Sequence, residues 1–212
     1  MAEFEQLYVH NVYEEIAQPF HESRFCHWNA VKDFLDNIPS GSIILDNGCG
    51  NGKYLQYRPD CIFIGNDMCQ GLLEIAKKKA DVTQSNGLHL PFRNQCFDAI
   101  VCIAVFHHLS NEERRIQFRN ELIRVLKPNG KCLITVWAAG QTHKRVRHWN
   151  VQPNGDALIP WKDKDGTILS LRYYHLFTQE SFQRYFQHSE LKILQCHFEF
   201  DNWCLVIQRI IP

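Results

Sequence analysis

Apolar residues along this chain fall into two rhythms. Ile43-Ile44-Leu45, Ile62-Phe63-Ile64 and Ala99-Ile100-Val101-Cys102-Ile103 are apolar at every position. Runs this short and unbroken need cover on both faces, which predicts buried strands of a parallel sheet. Between them the spacing is helical. Trp28, Val31, Phe34, Leu35 and Ile38 predict a helix over 27–38, closed by Pro39-Ser40-Gly41. Leu72, Leu73, Ile75 and Ala76 predict another, with Lys77-Lys78-Lys79 at the end where the helix dipole favours cations. Ile116, Phe118, Leu122, Ile123, Val125 and Leu126 predict a third, ended by Pro128-Asn129-Gly130. A shorter helix over 12–20 is expected to stop near Pro19. Further strands are expected over 80–85 and 131–137, then a helix over 179–187. Strands over 191–200 and 203–209, joined at Asp201-Asn202, close the chain as an antiparallel hairpin. Strand and helix alternating in this way predict an α/β fold, a doubly wound, Rossmann-like, mostly parallel sheet.

One stretch breaks the rhythm. Residues 138–170 are polar, contain Pro153, Gly155, Pro160 and Gly166, and carry Lys144, Arg145, Arg147 and His148. A connection this long is either mobile or functional. At 212 residues, 45% hydrophobic, the chain suits a single domain. It divides into N-terminal helices (1–40), a core (41–137), a substrate-side insertion (138–178) and a C-terminal helix and hairpin (179–212). Its 23 basic and 23 acidic residues give no global pull toward nucleic acid, so an RNA contact would need a local patch such as Lys144, Arg145 and Arg147. There is no apolar run of membrane-spanning length, and the acidic N-terminus lacks a signal pattern. The expected location is the cytosol, with the nucleus left open. Nine cysteines contain no C-x-x-C pair, which reads as buried reduced thiols, with no metal-ligand set.

The chemistry begins where the first strand ends. Asp46-Asn47-Gly48-Cys49-Gly50-Asn51-Gly52-Lys53 places glycines at alternate positions, allowing a sharp turn and close backbone approach to a ligand. Lys53-Tyr54-Leu55 is expected to start a helix whose first amides are free. The spacing is neither G-x-G-x-x-G nor a phosphate-binding loop ending in Gly-Lys-Ser/Thr. Asp67 ends the next strand, where an acid can accept ribose hydroxyls. Two carboxylates without a cationic phosphate cradle suit a positively charged, phosphate-free nucleoside such as S-adenosyl-L-methionine. The pattern resembles the class I methyltransferases. That resemblance implies a seven-stranded sheet with the last strand antiparallel, and cofactor contacts from Asp46, Gly48, Cys49, Gly50, Asn51, Gly52, Asp67, Met68, Asn86, Gly87 and Ile103. At Asn86 the family usually has an acid. An amide oxygen can still accept from an adenine amino group, and the alternative is a plain turn residue before Gly87.

Outside the core stand more specific motifs: Tyr13-Glu14-Glu15-Ile16-Ala17, Ser23-Arg24, Phe106-His107-His108-Leu109, Val136-Trp137-Ala138, Ile159-Pro160-Trp161, Arg172-Tyr173-Tyr174-His175 and Asp201-Asn202-Trp203-Cys204. Together they resemble the tRNA wobble-uridine carboxymethyl methyltransferases, in particular the stand-alone fungal type and the methyltransferase domain of the AlkB-homologue tRNA enzyme. The resemblance implies esterification of 5-carboxymethyluridine in the tRNA anticodon loop. A carboxylate is ionised at neutral pH, so the reaction needs alignment and water exclusion rather than a general base. Arg24, Arg172 and Tyr173, with His107 and His108, are the candidate catalytic residues, and Trp137 or Tyr173 the candidate base-stacking ring. The family further implies a heterodimer with a small zinc-binding activator subunit. The alternatives are a small-molecule carboxylate or quinone methyltransferase, or a catalytically weak scaffold of the same fold.

Overall fold

The computed structural model describes residues 2–23, 26–141, 149–163 and 165–210. In chain order its strands are β1 (Ile43–Asn47), β2 (Ile62–Asp67), β3 (Asp81–Gln84), β4 (Phe97–Ile103), β5 (Leu126–Trp137), β6 (Asp156–Lys162), β7 (Ile168–His175), β8 (Leu191–Glu199) and β9 (Asn202–Arg209). Seven of them form one sheet in the order β3-β2-β1-β4-β5-β9-β8. The pairs among β1 to β5 are parallel, and β9 runs antiparallel to both β5 and β8. The sheet is therefore the expected seven-stranded one with its last strand reversed.

Strand alternation divides the core into two layers. Along β4, Ile100 and Cys102 face a layer with Phe106, Phe118, Leu122, Phe177 and Phe182. Ala99 and Val101 face the other, with Val31, Leu35, Leu73 and Leu133. The first layer lies under α6 (Glu112–Val125) and α7 (Gln179–Arg184), the second under α4 (Asn29–Asp36) and α5 (Gln70–Ala76). Burying each large side chain of this kind contributes about 1.5–3 kcal/mol.

Four expectations need correction. Residues after Gly52 do not form a helix: they run through successive tight turns, closed by Gly52 N to Cys49 O (2.9 Å), Leu55 N to Gly52 O (3.3 Å) and Tyr57 N to Tyr54 O (3.0 Å). Pro19 does not stop the N-terminal helix. Helical turns run from α1 (Ala2–Glu5) through a wide π-turn (Gln6–His10) and α2 (Asn11–Glu15). The chain then restarts at Ile16 as α3 (Ala17–Glu22), with Pro19 in the first turn, where its missing N–H is not needed. β5 begins at Leu126, and Lys127–Gly130 bulges out of its pairing with β4. Finally, the polar insertion carries an ordered antiparallel hairpin, β6–β7, outside the main sheet.

Candidate active site

The C-terminal ends of β1, β2 and β4 open into a cleft of about 1610 Å³. A small-molecule site occupies ~300–1,000 Å³, so a nucleoside and a second substrate group can share this one. Its floor is the glycine turn. Gly48, Gly50 and Gly52 all hold left-handed φ angles. At Gly48 a Cβ would stand 2.1 Å from Val105 Cγ2, so only glycine fits. Gly48 N and Cys49 N donate to Asn66 O (2.7 and 2.9 Å), and Gly50 N donates to Asp67 Oδ2 (2.8 Å). Lys79 Nζ clamps the turn from beneath through Asn51 O (3.1 Å) and Gly52 O (3.2 Å), a role beyond the helix-end reading of the lysine run.

Two acids give the floor its charge. Asp67 binds Cys69 N and Gly50 N, while burial pushes its carboxyl upward. Asp46 is buried directly behind the turn, and its Oδ1 has no hydrogen-bond partner. Burial, reinforced by Asp67 and opposed by Lys53, pushes Asp46 up to about 7. Beside it, Asn47 accepts from Asn66 Nδ2 (2.9 Å) but leaves its own buried Nδ2 unpaired. A buried acid with no ion-pair partner among the described residues and an amide without an acceptor are strong attractors for a cation that carries hydrogen-bonding groups. The donor set fits S-adenosylmethionine.

The roof comes from the N-terminal helices and the β6–β7 hairpin. Glu5 holds Arg114 through two bonds (both 2.7 Å), and Glu14 accepts the first amides of α5 at Gln70 and Gly71. Arg172 on β7 is buried, its guanidinium 4.8 Å from the Trp161 ring and 5.2 Å from Tyr174. Burial works against its charge, yet Tyr174 and Tyr13 raise its pKa above the ordinary arginine value. Among the described residues no carboxylate lies within ion-pair distance of it, and its Nε is unpaired. A strained turn at Ala104 (φ 59°) carries β4 into a short 3-10 segment, Phe106–His108. Both histidines are buried there. His107 is depressed well below its usual value, first by burial and then by His108, Arg172 and His175 around it. Burial lowers His108 to about 3. At neutral pH both are uncharged.

The cleft brings together Gly48, Gly50, Asp67, Met68, Asn86, Gly87, Ile103, His107, His108 and Arg172. Asp46, Cys49, Asn51 and Gly52 stand behind its surface. Asn86 Oδ1 accepts from Leu88 N (2.9 Å), the turn geometry that was the alternative reading. Tyr173 is not a pocket residue: its hydroxyl is bound to Asp156 Oδ1 (2.7 Å) on the far side of the hairpin. Strand alternation turns Tyr174 toward the cleft instead. Trp137 cannot stack a base, because Tyr174 (4.1 Å, 13°) and Trp149 (5.3 Å, 6°) stack on it already. Arg24, Lys144, Arg145 and Arg147 lie outside the described residues. His197, Glu199 and Cys204 could meet around a metal ion. Glu199 is already occupied in capping α4 at Asn29 N (3.2 Å) and Ala30 N (2.8 Å). Sequence reasoning missed His10, Asn47, Asn66 and Trp149 as cleft residues, and only the asparagines at two strand ends carried a signal.

Comparison with known proteins places this geometry among relatives. Residues 45–134 match the family model described as a methyltransferase domain. A Schizosaccharomyces pombe protein named tRNA (carboxymethyluridine(34)-5-O)-methyltransferase is 36% identical, over 98% of this chain and 98% of its own. An Arabidopsis thaliana protein of the same name is 51% identical over 66% of this chain, which matches only 35% of that longer protein. Among solved structures, a chain from the complex between the Haloferax volcanii Trm112 methyltransferase activator and the putative methyltransferase superposes with a TM-score of 0.72. It is 14% identical and covers 96% of this chain and 98% of that one, a likeness of fold.

Proposed function

The chain belongs to the family of tRNA (carboxymethyluridine(34)-5-O)-methyltransferases, and on that premise we propose that it methylates the carboxylate of 5-carboxymethyluridine at the tRNA wobble position. The methyl donor is S-adenosylmethionine. The observation that carries the substrate assignment is Arg172: a buried guanidinium, flanked by aromatic rings, with no carboxylate partner among the described residues. A buried cation calls for an anion. The substrate supplies one, and an arginine can hold it through two parallel bonds.

The residues divide the work by chemistry. Asp67 would accept from the ribose, and Asp46 would balance the cationic charge of the donor, to whose amino-acid end Asn47 Nδ2 is free to donate a hydrogen bond. When bound, S-adenosylmethionine supplies a methyl group on a sulfonium, which is a good leaving group. Arg172 orients the carboxylate and, with Trp161 and Tyr174, keeps water from its oxygens, which raises their nucleophilicity. No general base is required, because the nucleophile is already ionised. The depressed pKa values of His107 and His108 make both rings weak bases, which agrees with that demand. Arg24 remains a candidate for a phosphate or the uracil edge.

The partner is part of the proposal. The anticodon loop of tRNA is the substrate surface, and a small zinc-binding activator is the proposed second subunit. Support comes from the Haloferax complex, which pairs a methyltransferase activator with a putative methyltransferase of this fold. Leu194 (40% exposed) and Phe198 (50%) add to it, offering apolar surface on the edge strand β8. The proposed location is the cytosol, with the nucleus open. The test uses labelled S-adenosylmethionine and tRNA carrying 5-carboxymethyluridine. Label released by mild alkali marks an ester; label that resists alkali, or equal labelling of tRNA without the carboxymethyl group, contradicts the assignment.

A further inference from the structure

The β8–β9 hairpin presents an aromatic ring to the cleft at a backbone cost. Glu199 pairs with Asn202, so the loop is Phe200 and Asp201, whose φ angles are 44° and 63°. A two-residue turn with both angles positive favours Asn-Gly, because a side chain crowds the left-handed backbone. For a residue as bulky as phenylalanine it is an outlier. Burial does not offset that cost: Phe200 is 74% exposed, the most exposed large apolar side chain among the described residues. The turn is nevertheless firmly held. Asn202 Nδ2 donates to Phe200 O (2.7 Å), while Ala138 N (3.0 Å) and Gln141 Nε2 (3.2 Å) donate to Asp201 O. Asn202 is itself buried with its Oδ1 unpartnered, a second cost at the same place. Strain held in this way at the edge of a site points to use.

We propose that Phe200 is a stacking platform for a base of the anticodon loop next to the wobble uridine. The inference rests on the reading of this cleft as the tRNA site. Phe200 lines the cleft. Every other Phe, Tyr and Trp along it packs against a ring or a cation: Trp137 stacks on Tyr174 and Trp149, Arg172 covers Trp161, and Lys53 stands over Trp28 (5.4 Å). Phe200 contacts no ring among the described residues, so its face is open to a ligand. It also stands on the right wall. Asn202, beside the turn, pairs with Trp137 across β5 and β9; Trp137 stacks on Tyr174, and Arg172 packs on that ring at 5.2 Å. One wall therefore carries the carboxylate holder and the free ring. Single-stranded loops are gripped by bases splayed onto aromatic side chains, and a phenyl ring accepts any base because each has a π-face.

The test compares Phe200→Asn, Phe200→Leu and Phe200→Tyr in the full chain with the proposed activator, on tRNA carrying 5-carboxymethyluridine. Stacking on a ring governs binding before chemistry. Phe200→Asn and Phe200→Leu should therefore raise KM for tRNA about 5- to 150-fold with kcat near wild type, and Phe200→Tyr should behave as wild type. Asparagine tolerates the left-handed backbone, so the thermal midpoint of Phe200→Asn should equal or exceed that of wild type. A structural role for the ring would lower it. A second readout is an anticodon stem-loop with 2-aminopurine beside the wobble uridine, whose fluorescence should be quenched on binding wild type and Phe200→Tyr but not Phe200→Leu. Wild-type KM in Phe200→Asn, equal quenching in Phe200→Leu, or loss of the activator from Phe200→Asn in gel filtration overturns the proposal; the last would make Phe200 a protein-docking residue. These outcomes leave the methylation reading standing as long as the wild type converts the tRNA. A wild type that neither binds nor methylates it removes that reading and this proposal together.

Discussion

Replacing Arg172 with methionine separates a substrate-binding cation from a structural one. The guanidinium is buried, stacked by two rings and without a carboxylate partner among the described residues. If it serves the substrate, its loss removes two charge-assisted hydrogen bonds, each worth ~1.5–3 kcal/mol. Even the lower sum, about 3 kcal/mol, lowers kcat/KM roughly 100-fold, since each 1.36 kcal/mol is tenfold. Stability should respond differently. Methionine keeps most of the volume against Trp161 and Tyr174 and removes the desolvation of an uncompensated charge, offsetting two cation–π contacts of ~0.5–2 kcal/mol each. The unfolding midpoint should stay within about 4 °C of wild type. The assay is labelled methyl transfer to tRNA carrying 5-carboxymethyluridine, paired with calorimetry of S-adenosylhomocysteine and a thermal melt. A variant within about three-fold of wild-type kcat/KM refutes the reasoning. So does a variant that loses activity only because its melting point has collapsed.

Three further outcomes follow from the same geometry. Asp46 carries a raised pKa of about 7 against an ordinary 3.8, so between those values the folded chain holds a proton that the unfolded chain has released. Stability contributed by this group therefore falls as pH rises through that window, whereas affinity for the cationic cofactor rises, by up to ~10-fold per unit. Calorimetry from pH 6 to 8 should find that rise in the wild type and a flat profile in Asp46→Asn. Gly48→Ala puts a methyl 2.1 Å from Val105 Cγ2 at φ +87°, so cofactor binding should be lost and stability should fall by ~1–3 kcal/mol. Adding Val105→Ala should restore part of the binding, and a Gly48→Ala protein with wild-type affinity would contradict the close-approach account. Tyr173→Phe removes the bond to Asp156 outside the cleft, so it should lower stability by ~1–3 kcal/mol while kcat stays near wild type. A catalytic defect at unchanged stability would return Tyr173 to the site.

Where a rule has one physical solution, the chain was readable. The continuous apolar run Ala99–Ile103 can only be a strand covered on both faces, and it lies within β4, Phe97–Ile103. The glycine turn was placed correctly, but the helix after it was not. Tyr54 and Leu55 are buried because a left-handed Gly52 folds them back under the sheet, not because they line a helix face. The β6–β7 hairpin was hidden by Pro160 and by Gly155 and Gly166, which resemble loop punctuation. Its alternation of buried Ala157 and Ile159 with exposed Leu158 became meaningful only once a partner strand was present. The choice between Tyr173 and Tyr174 illustrates the same limit. Alternation guarantees that one faces the cleft, but which one depends on the β6–β7 register, Ile159 opposite Arg172 and Leu158 opposite Tyr173. Tertiary pairing of that kind leaves no local mark.

The central claim is that a carboxylate on the wobble uridine receives the methyl group. Nucleoside mass spectrometry tests it most directly, on tRNA that carries 5-carboxymethyluridine, incubated with this protein, the proposed activator and S-adenosylmethionine, then digested. The expected result is conversion of 5-carboxymethyluridine to its methyl ester, 5-methoxycarbonylmethyluridine, and loss of that conversion in Arg172→Met. Unchanged 5-carboxymethyluridine in the complete mixture, or a methyl group found on another base or on ribose, would contradict it.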